Sequence, residues 1–435
     1  MAPNSHPNRA AISAKQLEQL RSLLAELFPG NKFYSRKFNA AGITFDVANL
    51  EDFSARFPFT TKIEIAEDQR LNPPFGTNLT YPLERYTRYH QTSGTSGAPL
   101  RWLDTSESWD WMLESWTEIL RAASVQTGDR IFFAFSFGPF IGFWMAFESA
   151  GRLGCLAVPG GGLSSAARVR AILDNGITVL CCTPTYAIRL AEVAGEEKID
   201  LSASRVRTMI VAGEAGGSIP AVRSRLEKLW HGARVFDHHG MTEVGPVTLE
   251  CPMRPGVLHV MESAYIAEIV DPGTGKILPA GQTGELVLTP LGRTGSPLLR
   301  YRTGDLVKRE VKSARDEAPC VCGRYDLALE GGILGRADDM VVIRGVNVFP
   351  SAVEEIVRSC PGVAEYQVEI SIAQALPELS VQVEPAPCAV DAAELVRCLE
   401  LNFETTLALR VTITLVPVGT LPRFEMKGKR WIKRS

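Results

Sequence analysis

Apolar residues recur at Leu17, Leu20, Leu24 and Leu27, the three- and four-residue spacing of one helix face, and Pro29-Gly30 stops the run. Gln16 to Phe28 is therefore expected to be helical. Residues 1–12 are polar and read as a flexible tail, and a mixed segment follows to about Glu84. From Arg130 short apolar runs alternate with helical patterns. Strands are expected at Ile131–Phe135, Leu156–Pro159, Thr178–Cys182 and Thr208–Val211, with helices at Gly142–Leu153, Ala166–Asn175 and Tyr186–Ala194. Such alternation predicts βαβ units around a parallel sheet, an α/β fold. From about Val257 strands and Gly/Pro turns dominate, which predicts a β-rich subdomain over about 257–335. The last hundred residues read as a separate small α+β unit, with a strand at Met340–Arg344 and a helix at Ser351–Arg358. Strands at Glu365–Ile370 and Leu379–Glu384, the helix Ala392–Leu407 and a strand at Val411–Val416 complete it. The expected division is a tail (1–12), a large domain (13–335) and a small C-terminal domain (336–435).

Composition narrows the class. The 435 residues are 45% hydrophobic and 22% charged, which excludes a disordered chain or a coiled coil. Lys plus Arg (46) against Asp plus Glu (49) leaves a net charge of −3, a balance that calls for neither nucleic acid nor a membrane surface. The uncharged stretch Ile131–Phe147 imitates a membrane span, but Gly138, Pro139 and Gly142 break it, and it falls short of the ~20 residues a span needs. The polar N-terminus lacks a basic-then-apolar leader, so the expected compartment is the cytoplasm, where cysteines stay free or bind metal.

Five motifs carry candidate chemistry. Thr92-Ser93-Gly94-Thr95-Ser96-Gly97 packs four hydroxyls and two glycines into six residues, a loop able to wrap polyphosphate oxygens, although it lacks the Gly-Lys-Ser/Thr ending of a Walker A loop. Asp237-His238-His239-Gly240-Met241-Thr242-Glu243 joins a flat ring, a hydroxyl and a carboxylate, a set suited to a base and Mg²⁺. In Arg300-Tyr301-Arg302-Thr303-Gly304-Asp305 the aspartate of a tight turn can accept both hydroxyls of a ribose. Gly335-Arg336-Ala337-Asp338-Asp339-Met340 with Arg344-Gly345-Val346-Asn347 is the fourth, and Arg423-Phe424-Glu425-Met426-Lys427-Gly428-Lys429-Arg430 the fifth. Each has an ordinary structural explanation when taken alone.

Their order and spacing together resemble the adenylate-forming superfamily of acyl-CoA synthetases, adenylation domains and luciferases. Gly-Val-Asn-Val-Phe-Pro following Gly-Arg-x-Asp-Asp-Met, the short N-terminal part and Thr183-Pro184-Thr185-Tyr186-Ala187 are similar to the phenylacetate–CoA ligase family. The resemblance runs from about Pro58 to the C-terminus. It implies ATP, Mg²⁺ and coenzyme A as cofactors, a small carboxylic acid as substrate and a homodimer as the assembly. It also implies two half-reactions: an acid and ATP give an acyl-adenylate, and a thiol then displaces AMP.

By that resemblance Thr92–Gly97 holds the β- and γ-phosphates. Gly213, Glu214 and Ala215 lie against one adenine face and His239 against the other, within the His238–Met241 motif, and Asp237 accepts from the adenine amino group. Thr242 touches the α-phosphate, Glu243 binds Mg²⁺, and Asp305 with Arg336 holds the ribose. Lys427 resembles the adenylating lysine, with Lys429 as the competing candidate. Asp338 matches the hinge, while Gly345 and Arg344 line the route of CoA. Phe135, Phe140 and Gly240 match the acid pocket. The surrounding aromatic run favours an aryl or arylalkyl acid, and a hydrophobic core explains that run as well.

Two positions depart from the family: His239 stands where a Tyr is usual, and no Lys follows the phosphate loop, Arg101 being the nearest cation. Cys251, His259, Cys320 and Cys322 form a donor set suited to a structural Zn²⁺, with unrelated buried thiols as the alternative. Adenylyl transfer similar to that of the deazaflavin-coenzyme synthetase, transfer to a carrier-protein thiol, and non-catalytic nucleotide binding are the competing functions.

Overall fold

The computed structural model describes residues 6–28, 30–92, 99–311, 318–344, 346–373, 376–386, 391–425 and 427–433. The chain forms two compact units, each built from two stretches: 1–161 with 237–332, and 162–236 with 333–435. In this division the segment 162–236 groups with the C-terminal hundred residues.

The first helix, Arg9–Leu27, begins inside the stretch expected to be a tail. Asn8 caps it by accepting the Ala11 N–H, and Ile12 is buried. The segment that read as mixed holds three more helices, Lys32–Ala41, Leu50–Arg56 and Lys62–Leu71, each capped by an Asn or Thr side chain. The helix Ser106–Ala122 also went unread, although Trp109, Met112, Leu113, Trp116, Ile119 and Leu120 are buried along it. Strands Arg130–Phe133 and Leu156–Pro159 pair in parallel around the helix Ile141–Arg152, as the alternation predicted. A six-stranded antiparallel sheet follows, over Thr248–Cys251, Arg254–Val260, Tyr265–Val270, Thr283–Pro290, Tyr301–Arg309 and Ala328–Arg336. It starts about nine residues before the expected β-rich boundary.

In the second unit the parallel strands Val179–Cys182 and Thr208–Val211 alternate with helices Ser165–Asp174, Pro184–Glu196 and Pro220–Leu229. Thr183 caps the middle helix, and Pro184 opens it at the position where a missing N–H costs nothing. Toward the C-terminus, Val363–Ala373 and Leu376–Pro385 form an antiparallel hairpin. Thr412–Leu415 joins one edge in parallel and Trp431–Lys433 the other. The helices Pro350–Ser359 and Ala392–Leu407 bury Val353, Ile356, Val357, Leu395, Leu399 and Phe403 in a core with Val368 and Val381 from this sheet. Among the described residues, no helix is long and apolar enough to cross a membrane.

Candidate active site

The strand Arg234–Asp237 ends on the buried Asp237, and the chain then folds into a minimal hairpin in which Gly240 pairs with Pro246 and Met241 with Gly245. Gly245 has φ +88°, and a Cβ there would lie 3.0 Å from Met112 Sδ, so the turn requires glycine. His239 is fixed through its backbone: its N–H donates to Thr248 Oγ1 at 2.8 Å, and its carbonyl accepts from Val247 and Thr248. This turns its ring toward the strand Tyr301–Arg309, with Nε2 3.1 Å from Asp305 Oδ2. His238 points the other way, its ring edge-on to Trp116 at 4.5 Å, and burial pushes its pKa down to about 3. The side chain is therefore neutral and belongs to the core.

Thr242 and Glu243 form the hairpin tip. Glu243 is buried, and its Oε1 lies 3.4 Å from Lys62 Nζ. Behind the tip, Arg293 Nη1 donates to the carbonyls of Thr242 and Glu243, each at 2.7 Å. Thr92 sits at the start of the connection between strands Tyr86–Gln91 and Arg101–Thr105 and exchanges hydrogen bonds with Leu100 across it. Ser93, Gly94, Thr95, Ser96 and Gly97 lie outside the described residues.

The aromatic run divides in two. Phe132 and Phe133 are fully buried core, whereas Phe135, Phe137, Phe140, Phe143 and Phe147 are half-buried. Phe135 stacks on Phe143 (centroids 4.2 Å apart, planes 14°), and Phe140 meets the same ring edge-on at 6.0 Å. The result is a continuous aromatic wall beyond the core.

In the second unit Gly213 has φ +93°, and Lys427 packs over it: a Cβ at that glycine would lie 3.6 Å from Lys427 Cε. Glu214 accepts the Thr185 N–H at one carboxylate oxygen and the Gly428 N–H at the other, both at 2.8 Å. Burial pushes the Glu214 pKa up, and these donors oppose the shift. Ala215 is exposed. The C-terminal basic motif is tied in by two ion pairs, Arg423 with Glu384 and Arg430 with Glu365. Arg336 pairs with the exposed Asp338 at 2.9 Å. Arg344 pairs with Glu378 at 2.7 Å, and Gly345 lies outside the described residues.

A further cluster stands in the β-rich sheet. Cys251 ends one strand, His259 lies on its neighbour, and a tight turn closed by Gly323 N–H on the Cys320 carbonyl presents Cys320 and Cys322. Their ligand atoms all lie within 4.8 Å of one another.

Comparison with known proteins identifies the fold and the motifs together. Residues 91–290 match the AMP-binding enzyme family model, and residues 345–434 match that of the AMP-binding enzyme C-terminal domain. The phenylacetate–coenzyme A ligase of Pseudomonas putida is 32% identical over 96% of this chain and 93% of its own length; that of Escherichia coli K12 is 32% identical over 96% and 94%. The chain belongs to the phenylacetate–coenzyme A ligase family of adenylate-forming enzymes. Among solved structures, 2-hydroxyisobutyryl-CoA ligase in the postadenylation state with 2-HIB-AMP superposes with a TM-score of 0.92 at 29% identity, covering 99% of this chain and 91% of that one. In the thioesterification state with 2-HIB-AMP and CoA the same ligase gives 0.73 at 30% identity, over 99% and 91%.

In this family member the motif residues sit in two groups, and motif reading missed several supporting residues. Lys62, Asp104 and Arg293 carry no local signature: Arg293 acts on Asp104 across 189 positions and on Glu243 across 50. The grip of Glu214 on Gly428 spans 214 positions. Only folding makes such pairs visible.

Proposed function

We propose that this protein is an ATP-dependent, AMP-forming ligase that activates an aromatic or arylalkyl carboxylic acid and transfers the acyl group to the thiol of coenzyme A. The observation that carries the reading is the seat of Lys427 over the Gly213 loop. Carboxylate attack on the α-phosphorus forms a C–O–P linkage and breaks the bond to pyrophosphate. Negative charge spreads over the phosphoryl oxygens as it does so. A cation held at that place stabilises the transition state more than the separated anions. Of the two candidate lysines, Lys427 is the one packed over the glycine loop, which favours it over Lys429.

The reading assigns Thr242 to the α-phosphate, Asp305 and Arg336 to the ribose, and Asp237, His239, Gly213 and Ala215 to adenine. Glu243 is the residue that would hold Mg²⁺, which supplies charge neutralisation on the phosphates. The wall of Phe135, Phe140 and Phe143 takes the acid, and Gly240 keeps its floor open. In the second step the CoA sulfur attacks the acyl carbon, AMP leaves with the bonding electrons, and the thiol proton passes to solvent. Rotation near Asp338, with Arg344 and Gly345 along the CoA route, exchanges the two steps.

The Cys/His cluster is read as a structural zinc site. A tetrahedral ion with bonds of about 2.3 Å to sulfur and about 2.0 Å to nitrogen separates two sulfurs by about 3.8 Å and a sulfur from a nitrogen by about 3.5 Å. Cys251 Sγ and Cys320 Sγ are 3.7 Å apart, and Cys322 Sγ and His259 Nε2 are 3.5 Å apart. These spacings support an ion at the centre.

The test is pyrophosphate release with ATP, Mg²⁺ and a panel of phenylacetate, benzoates, aminobenzoates, indole acids and fatty acids, with and without CoA. Release with an aryl acid that is lost in Lys427→Ala is the expected result. Silence across the panel with ATP still bound, or AMP transfer to a hydroxyl without CoA, overturns it.

A further inference from the structure

We infer that Glu214 is a positioning residue that seats the Lys427 loop for adenylation: its carboxylate captures the Gly428 backbone N–H and fixes the lysine beside Gly213. The inference rests on the ligase reading and adds a latch to it.

The motif reading places Glu214 with the residues lining adenine. Its geometry is different. One carboxylate oxygen accepts the Thr185 N–H in the first turn of the helix Pro184–Glu196, where the aligned peptide dipoles favour an anion. The other accepts the Gly428 N–H, one residue beyond Lys427. Both oxygens are thus engaged by backbone donors from segments more than 240 positions apart in the chain. A carboxylate accepts at both oxygens without needing a proton, so it suits two N–H groups at once. The same junction is tied a second time by Arg430, whose Nη1 donates to Thr185 Oγ1 at 3.3 Å while its Nε bonds Glu365 at 2.6 Å. Glu425, two residues before Lys427, accepts from Ser165 Oγ at 3.2 Å. Of these contacts, the Glu214 bond is the one on the residue next to the lysine.

A backbone N–H is an apt target for a latch that must open. It offers a single directional bond and imposes no side-chain requirement on the loop. Release of the loop needs this bond and the flanking Arg430 and Glu425 contacts to break, after which Lys427 leaves as a unit with Gly428.

The test separates the half-reactions. Adenylation is read as pyrophosphate release from ATP and acid. Thioester formation is read from preformed acyl-adenylate and CoA, where Lys427 has no task. Glu214→Ala removes both bonds, and Glu214→Gln keeps one acceptor. The expected adenylation kcat falls about 10- to 100-fold in Glu214→Ala and by less in Glu214→Gln, with KM for ATP little changed. The thioester step stays at the wild-type rate in both. Amide hydrogen exchange over residues 421–430 rises in the variants, a readout that needs no turnover and keeps the inference testable if the wild type activates none of the acids tried. In that case the ligase reading fails while the exchange still judges the latch. A rise in KM for ATP with kcat intact would make Glu214 a nucleotide contact. Equal loss in both half-reactions would make it structural. Unchanged exchange at 421–430 would mean that the bond does not hold the loop. Any of these outcomes overturns the inference.

Discussion

Arg293 and Asp104 form a fully buried two-pronged ion pair, with Nε and Nη2 each 2.7 Å from a carboxylate oxygen, and the remaining nitrogen of the same guanidinium holds the tip that carries Glu243. A buried charge is tolerated only when every donor finds an acceptor. Here the surplus donor is spent on two carbonyls, so the pair both anchors the core and fixes the hairpin. The expectation for Asp104→Asn is a loss of about 3–5 kcal/mol in stability, because one partner of a buried pair is left uncompensated. Urea unfolding measures that. In protein that remains folded, the Mg²⁺ concentration for half-maximal pyrophosphate release should rise. A variant that keeps both the wild-type unfolding midpoint and the wild-type Mg²⁺ dependence would refute the anchoring role.

Glu365 supplies a pH-dependent prediction. Burial alone would push its pKa up, but the Arg430 hydrogen bond and the charges of Arg358 and Arg430 outweigh burial and hold it at about 2, below the ordinary value of 4.5. A carboxyl depressed in the folded state contributes stability at pH values above 4.5, and that contribution is lost as pH falls toward 2. Hydrogen exchange in the strand Val363–Ala373 should be faster in Glu365→Gln than in wild type at pH 6. The difference should shrink between pH 4.5 and 2. A constant difference across that window would exclude the ion pair as its source.

The metal reading predicts about one equivalent of zinc per chain by elemental analysis of protein purified without added metal. Cys320→Ser and Cys251→Ser should each lose the metal and lower the thermal midpoint, since binding at a preformed site adds directly to folding free energy. Prolonged chelation should reproduce the loss in the wild type and leave the serine variants unaffected. Full thiol titration of native, metal-free protein at wild-type stability would reject the site.

The parts of this molecule that alternate regularly were legible before folding. Thr208–Val211 and Ala392–Leu407 lie where periodicity puts them, because each buries an apolar run or face, and Leu156–Pro159 falls in place as a short apolar run although its side chains are exposed or half-buried. The stretch from Lys32 to Leu71 was not, since its three helices are short, mixed in composition and held by caps and by packing of Phe38, Phe53 and Phe57 rather than by a long stripe. The motif residues were legible as letters; their contacts were not. Glu214 reads as part of an adenine-lining turn, and only the fold shows its carboxylate bonded to Gly428. The aromatic run likewise mixes two roles in one string, and burial alone separates Phe133 from Phe135.

That separation gives the last prediction. Phe133 supports the parallel sheet, whereas Phe143 backs Phe135 with nearly parallel rings on a half-buried surface. Removing Phe143 should therefore cost the acid more than it costs the fold. Offset ring contacts contribute about 0.5–1.5 kcal/mol per pair, so Phe143→Ala should raise KM for an aryl acid about 2- to 12-fold. The KM for a short aliphatic acid should change less, because such an acid gains nothing from a ring partner. Phe133→Ala should instead lower stability by about 3–5 kcal/mol through the cavity it leaves. Steady-state kinetics on an aryl and an aliphatic acid, alongside unfolding curves for both variants, resolve the two effects. If Phe143→Ala shifts both acids equally, the wall is packing and the preference for an aryl substrate must come from elsewhere in the pocket.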